Sequence, residues 1–263
     1  MNDVTDWWQT DIIDMAPGKI RLRGHDVEDL IGTTSFAQMI WLMIRGDMPD
    51  AGQVTLFECA LVAAVDHGPQ APSIATARMA VTCGQSLNGA MASAVNMLDD
   101  VHGGAGEQAI GLYTTIRDAA PQRTLEEVLI DWRSTNGPYV PGFGHRFHKP
   151  VDPRAPALMA RVREARDKGV CRGDFLEIAE AIETALKLEK GKPVPMNIDG
   201  ATAVIYAELG FEAPLARGLF CLSRSVGILA HAWEQKQQGG RNKGPTPPGY
   251  FWSYGGPNPI RRP

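Results

Sequence analysis

A chain of 263 residues, 44% hydrophobic and 21% charged, has the composition of a folded globular protein with room for one large domain or a core domain plus a smaller lobe. Its formal net charge of -4 argues against broad binding to nucleic acid or anionic membrane surfaces, so an anionic ligand must be held by local arginines. Cys59, Cys83, Cys171 and Cys221 stand far apart with no C-x-x-C pair, so neither a disulfide framework nor a Cys-rich zinc site is signalled, and a reducing cytoplasm is the expected home.

The opening "MNDVTDWWQTDIIDM" is acidic where a secretory signal is basic and then apolar. No stretch reads as the ~20 apolar residues of a membrane span. The expectation is a soluble, cytoplasmic protein. A short extended piece, a β ribbon, is predicted at 18–23, "GKIRLR". In "SFAQMIWLMIRGDMP", Ser35 is the N-cap of an amphipathic helix that Gly46 and Pro49 end. "AGQVTLFECALVAAVDHG" repeats the pattern, and "SIATARMAVTCG" and "SLNGAMASAVNML" follow as helices whose small residues allow close packing.

Another helix is predicted from about Ala105 through Arg117, and "TLEEVLIDWRS" starts with Thr124 three residues before Glu127, the capping-box spacing. "PALMARVREARDKG" and "DFLEIAEAIETALKLEKG" carry apolar residues at steps of three and four. The same period recurs from Thr202 to Gln237, broken near Gly210 to Pro214. The fold class is therefore all-α with a β ribbon near the N-terminus. The Gly/Pro-rich tail "GGRNKGPTPPGYFWSYGGPNPIRRP" reads as a segment that docks through Phe251, Trp252 and Tyr254, on this chain or on a partner subunit.

Chemistry concentrates in "PGFGHRFHKPVDPRAPAL", residues 141–158. Asp152-Pro153 is a helix start, which puts Arg154 beside the free amides and positive dipole end, a strong place for a carboxylate or phosphate. His145 is bracketed by glycines that let backbone approach a ligand closely. Three other stretches share this build, a polar group on a Gly-rich loop opening a helix: "DDVHGGAGEQ" with His102, "VPMNIDGAT" with Asp199 and "AVDHGPQAPS" with His67. In "LSRSVGILAHAWEQ", Arg224 lies on an otherwise apolar helix face, so it must meet a carboxylate, its own or a ligand's.

These segments, in this order and over nearly the whole chain, resemble the citrate synthase superfamily. "RLRGHDVEDLIGTTSFAQMIWLMIRGDMP" is similar to the family's opening segment and following helix, with His25 in place of the usual tyrosine. The short span between Pro49 and His67, where citrate synthases carry a long helical insertion, and the wording "DHGP", "NIDG" and "PTPPG…YGGP" resemble the short, citryl-CoA lyase type.

The resemblance implies a large helical domain, 1–105 with 206–263, and a smaller CoA-binding lobe, 106–205, that close over the substrate. Carried over residue by residue, it implies His102 as the donor to the thioester oxygen, Asp199 as the base at the methyl carbon and His145 as the group at the keto-acid carbonyl. His67, Arg154, Arg224 and Arg146 become ligands of substrate carboxylates. Pro141, Gly142, Phe143 and Gly144 would hold the adenine of coenzyme A, with Lys149 and Lys192 near its phosphates. Where the family supplies a late Arg-Pro from the partner subunit, this chain reads Gly244-Pro245, which leaves the acid specificity open.

The implied reaction is reversible cleavage of citryl-CoA, or a close analogue, to acetyl-CoA and oxaloacetate, with coenzyme A part of the substrate and no metal or prosthetic group. A carboxylate base beside a donor to the thioester oxygen is what enolisation requires. Two further readings share the motifs: condensation with thioester hydrolysis, as in citrate synthase, and an idle acyl-CoA-binding homologue or subunit. The expected partners are an acyl-CoA, a di- or tricarboxylate and further copies of the chain in a homodimer or higher homo-oligomer.

Overall fold

The computed structural model describes residues 7–258. They form strands β1 (Ile13–Ala16), β2 (Lys19–Leu22) and β3 (His25–Asp26), then helices α1 (Val27–Leu30), α2 (Phe36–Arg45) and α3 (Ala51–Ala63). After these come α4 (Pro72–Thr82), α5 (Leu87–Val95), α6 (Ala105–Ala119), α7 (Leu125–Asn136), α8 (Arg154–Asp167), α9 (Asp174–Lys190), α10 (Ile198–Glu208) and α11 (Ala213–Gln238). The all-helical expectation holds, with one extension. The ribbon is a three-stranded antiparallel sheet in the order β1-β2-β3, with Ile13 opposite Leu22 and Leu22 opposite His25.

The expected caps are in place. Ser35 and Thr124 each accept from the backbone amide three residues on, with Gln38 and Glu127 reaching back to the capping amide, and Asp50 with Gln53 forms a third capping box that the sequence reading did not name. Gly46, at φ 86°, ends α2 in the left-handed region.

The chain forms two compact units. Of the described residues, one unit contains those up to Ala64 with Gly103–Ser223, the other Val65–His102 with those from Arg224 onward. These units do not coincide with the lobe limits read from the sequence, 1–105 with 206–263 and 106–205.

In the first unit α10 is the central helix. Its buried residues run from Ile198 through Ala207, apart from Asp199, and it packs against α3, α6, α8 and α9. Gly200, Ala201, Ala203 and Ala207 make this possible, because small side chains let four helices approach one. Trp41, Phe57, Tyr206 and Phe211 form an aromatic cluster at the base, with Phe57 stacked on Phe211 at 5.3 Å and Trp41 edge-on to Phe211 at 5.0 Å. Arg45 lies over Trp41 and Phe211 and donates to Gly210 O at 2.7 Å.

The second unit is built on α4 and α5, whose Ala77, Ala90 and Ala94 are fully buried, as their small-residue sequences predict. Its tail is pinned where Asn242 N and Lys243 N donate to the carbonyl and hydroxyl of Thr82. Beyond that, Tyr250, Phe251, Trp252 and Tyr254 are exposed.

One expectation is corrected. By length and composition α11 is long and apolar enough to cross a membrane, although the sequence reading found no such stretch. Its polar groups are nevertheless engaged within the fold: Arg217 pairs with Glu107 and Ser223 donates to Leu61 O.

Candidate active site

In the first unit the loop 141–148 lies against the start of α10. Gly144 N donates to Pro195 O at 2.7 Å, Asn197 N to Gly142 O at 2.9 Å, and Phe143 bridges to Met196. The approach is close enough to require glycine on both sides: a Cβ on Gly200 would stand 2.3 Å from Gly142 O, and one on Gly142 would stand 2.6 Å from Gly200 Cα.

Asn197 joins the two predicted reactive residues of this unit. Its Oδ1 caps α10 by accepting from Asp199 N (3.0 Å) and Gly200 N (3.2 Å), while its Nδ2 donates to Gly144 O (2.8 Å), the residue before His145. Sequence reasoning missed Asn197, although an asparagine immediately before a helix is the capping signal. Glu183, also missed, accepts from Met196 N at 2.8 Å and fixes the approach to α10.

His145 is held in one tautomer. Its Nδ1 accepts from Phe147 N (3.0 Å) and His148 N (2.9 Å), so the ring proton sits on Nε2 and that atom is a donor. Burial lowers its pKa, with His148 and Arg154 adding to the effect against the opposing pull of Asp152. The neutral ring is thereby favoured.

Arg154 opens α8 as predicted, and Asp152 accepts from its backbone amide at 3.1 Å. The side chain of Asp152 is wholly buried and also takes the guanidinium, Nε at 3.0 Å and Nη2 at 2.7 Å. The sequence reading made Asp152 the cap and Pro153 the first helical residue; in the structure Pro153 is the capping residue, Asp152 lies one position outside it and accepts from Arg154 N, and the ion pair fixes the guanidinium's plane. Arg146 is exposed, outside this cluster.

Phe143, Gly144, His145, Lys149 and Lys192 line one cavity of about 420 Å³, with Arg133 and Lys190 adding positive charge. Pro141 and Gly142 are not among its lining residues; Gly142 O instead accepts from Asn197 N at the start of α10. A cavity of about 530 Å³ between α3 and α8 contains none of the predicted site residues. Among the described residues, no group of three or more His, Cys, Asp or Glu side chains is placed to hold a metal ion.

The second unit holds His67, His102 and Arg224. Pro72 occupies the first position of α4 and has no N–H, so Ser73 N is the first amide that the helix offers. It donates to His102 Nε2 at 3.2 Å, and Ser73 Oγ lies 3.0 Å from the same atom. An imidazole nitrogen that accepts from an amide carries no proton, so His102 is a neutral ring with its N–H at Nδ1. Burial first, and then the charge of Arg224, lower its pKa and keep it neutral. Arg224 is almost fully buried. Ser73 and its amide were not anticipated from the sequence.

Residues 49–243 match the family model described as citrate synthase, C-terminal domain. The chain is 30% identical over 218 residues to citrate synthase of Haloferax volcanii and 32% identical over 208 residues to that of Heyndrickxia coagulans. These matches cover 81% and 77% of this chain but 55% and 53% of the relatives. The chain thus spans about half the length of the curated relatives it matches. Among solved structures, citryl-CoA lyase from Hydrogenobacter thermophilus superposes with a TM-score of 0.86 at 32% identity, covering 98% of each chain. Citrate synthase from Thermoplasma acidophilum, solved as a ternary complex with carboxymethyl coenzyme A and oxaloacetate, superposes with a TM-score of 0.68 at 26% identity. That match covers 87% of this chain and 60% of the other.

Proposed function

Because the chain belongs to the citrate synthase family, we propose that it catalyses the reversible cleavage of citryl-CoA, or a close analogue, to acetyl-CoA and oxaloacetate. The observation that supports the lyase reading over the synthase reading is the closeness of the end-to-end match to a citryl-CoA lyase, with a TM-score of 0.86 at 32% identity. The curated synthases it matches are about one and a half times as long, 218 matched residues being 55% of one of them.

In this reading the thioester oxygen accepts from His102 Nδ1–H. As the C–C bond breaks, charge moves onto that oxygen, and a neutral N–H fixed by Ser73 stabilises the enol without reorganising. Asp199 delivers a proton to the methylene carbon in cleavage and removes it in condensation. His145 presents Nε2–H to the oxygen that is hydroxyl in citryl-CoA and carbonyl in oxaloacetate; as the C–C bond breaks that hydroxyl gives its proton to water, and Asp199, having given one to the methylene carbon, regains one from water, so cleavage releases and consumes no net proton. The two histidine tautomers support these roles, since each directs its N–H away from the backbone amides that fix it.

His67, Arg154 and Arg224 are proposed as carboxylate ligands, with Arg146 an outer addition. The cavity beside Phe143 and Gly144 takes the CoA moiety, with Lys149 and Lys192 toward its phosphates. This acid–base chemistry on a thioester calls for no prosthetic group. Residues 106–205 act as the CoA-binding lobe whose closure brings Asp199 into use. A cytoplasmic homodimer is proposed, the exposed Phe251, Trp252 and Val226, Leu229 and Trp233 of α11 being the surfaces a second copy would cover.

The curated relatives favour the second reading, condensation of acetyl-CoA with a keto acid and hydrolysis of the thioester. A paired assay separates them. Supplied with citryl-CoA, the protein is expected to release oxaloacetate; supplied with acetyl-CoA and oxaloacetate, it is expected to release no free thiol. Thiol release from the second pair overturns the lyase reading. Inertness toward both, with acyl-CoA still bound, indicates an idle homologue.

A further inference from the structure

Helix α11 carries a set of side chains to which the roles above give no part. His231 stands four residues after Gly227 and seven after Arg224, so the three share one helix face. Gly227 N donates to Val65 O at 3.1 Å, and a Cβ at Gly227 would stand 2.2 Å from that oxygen and 2.9 Å from Asp66 Oδ1. One turn later His231 Nε2 meets Asp66 Oδ1 at 3.2 Å. Asp66 Oδ2 in turn accepts from Gly68 N at 3.0 Å. The loop that carries His67 is therefore gripped on both sides of that residue.

The ring of His231 is also oriented from behind. Arg78 of α4 points Nη1 at His231 Nδ1, 3.1 Å away, and is itself anchored by Glu234 Oε2 at 2.5 Å and Gln238 Oε1 at 2.7 Å. A guanidinium can only donate, so Nδ1 accepts and the proton is on Nε2, facing Asp66. Burial acts to raise the pKa of Asp66 but is outweighed by the Gly68 amide, His231 and the His67 amide, so its carboxylate lies below the usual range.

We infer that His231 is a positioning residue: held in its Nε2–H tautomer by Arg78, it fixes Asp66 and thereby the loop that presents His67 to a substrate carboxylate. The inference rests on the proposed reading, in which His67 is such a ligand. It extends that reading to the chain Glu234–Arg78–His231–Asp66, none of whose members touches the substrate.

The test compares His231→Leu with His231→Gln, whose amide nitrogen can occupy the position of Nε2. In the condensation direction, or by calorimetry with oxaloacetate, His231→Leu is expected to raise the KM or Kd for oxaloacetate about tenfold, the loss of one well-placed hydrogen bond. kcat and the KM for acetyl-CoA should stay within about twofold, and His231→Gln should recover most of the loss. If His231→Leu does not fold, Asp66→Asn, which keeps the loop and weakens the acceptor, must give the same split. Unaltered oxaloacetate affinity, or equal damage to both substrates that His231→Gln fails to relieve, overturns the inference alone. A wild-type protein inert toward citryl-CoA and toward acetyl-CoA with oxaloacetate overturns the proposed function, and this inference with it.

Discussion

Replacing Gly200 by alanine sets one methyl group against the backbone that joins the 141–148 loop to α10. The new Cβ would stand 2.3 Å from Gly142 O and 3.0 Å from Met196 Cγ. The carbonyl must retreat by about 0.7 Å merely to reach 3.0 Å, the nearest such atoms approach. It cannot move alone, because it accepts from Asn197 N at 2.9 Å and its loop is tied again through Gly144 N to Pro195 O at 2.7 Å. Overpacking of this kind costs about 1–3 kcal/mol, and loss of one hydrogen bond adds about 0.5–1.5 kcal/mol. A total of about 2–4 kcal/mol lowers Tm by roughly 4–16 °C in a chain of this size. Differential scanning calorimetry reads the stability, and isothermal calorimetry reads acyl-CoA affinity, which should fall because Phe143 and Gly144 line the neighbouring cavity. Gly218→Ala is the control: mid-helix in α11 with nothing within 4 Å of its Cβ, it should be neutral or stabilise by up to about 1 kcal/mol. A Gly200→Ala protein with Tm within about 1 °C of wild type and unchanged acyl-CoA affinity would refute the close approach as the determinant of this loop's position.

Asn197→Ala should cost about 1–2 kcal/mol, the usual loss of an N-cap, and should also weaken acyl-CoA binding because the tie to Gly144 O is lost; denaturant titration and calorimetry check the two effects. Asp199→Asn is expected to lower turnover of citryl-CoA by about 10²–10⁴ with Tm nearly unchanged, and near-normal turnover would remove Asp199 from the proton-transfer role. The histidines make a pH prediction. Both His102 and His145 have pKa values below their usual 6.5, so below that pH the unfolded chain takes up their protons before the folded one does. Their contribution to stability is therefore complete above pH 6.5 and declines as pH falls through the depressed folded values. A thermal scan from pH 8 to pH 5 should show this decline, and His102→Gln should make it shallower.

Local signals in the sequence foretold most of the elements. The N-cap at Ser35 and the capping box at Thr124 placed two helix starts, glycines at 46 and 191 marked helix ends, and the apolar period located the rest. These features act within one turn of chain and so can be read without knowing the fold. The same is true of Asp152-Pro153-Arg154, where cap and helix start are three adjacent residues. The outer strands β1 and β3 escaped notice because each depends on pairing with β2, and neither shows a clean alternation of its own.

Residue types and their order also disclosed which side chains belong to the chemistry, since histidine, aspartate and arginine on Gly-rich loops are uncommon enough to stand out. What they do there was beyond sequence. That His102 carries its proton on Nδ1 and His145 on Nε2 follows from amides at Ser73, Phe147 and His148. That Asp66 answers to His231, and Gly142 to Gly200, follows from pairs separated by tens to more than a hundred residues. A hydrogen bond is fixed by distance and direction in space, and neither is encoded by neighbours along the chain. Only the packed tertiary structure could turn a set of candidate residues into donors, acceptors and supports.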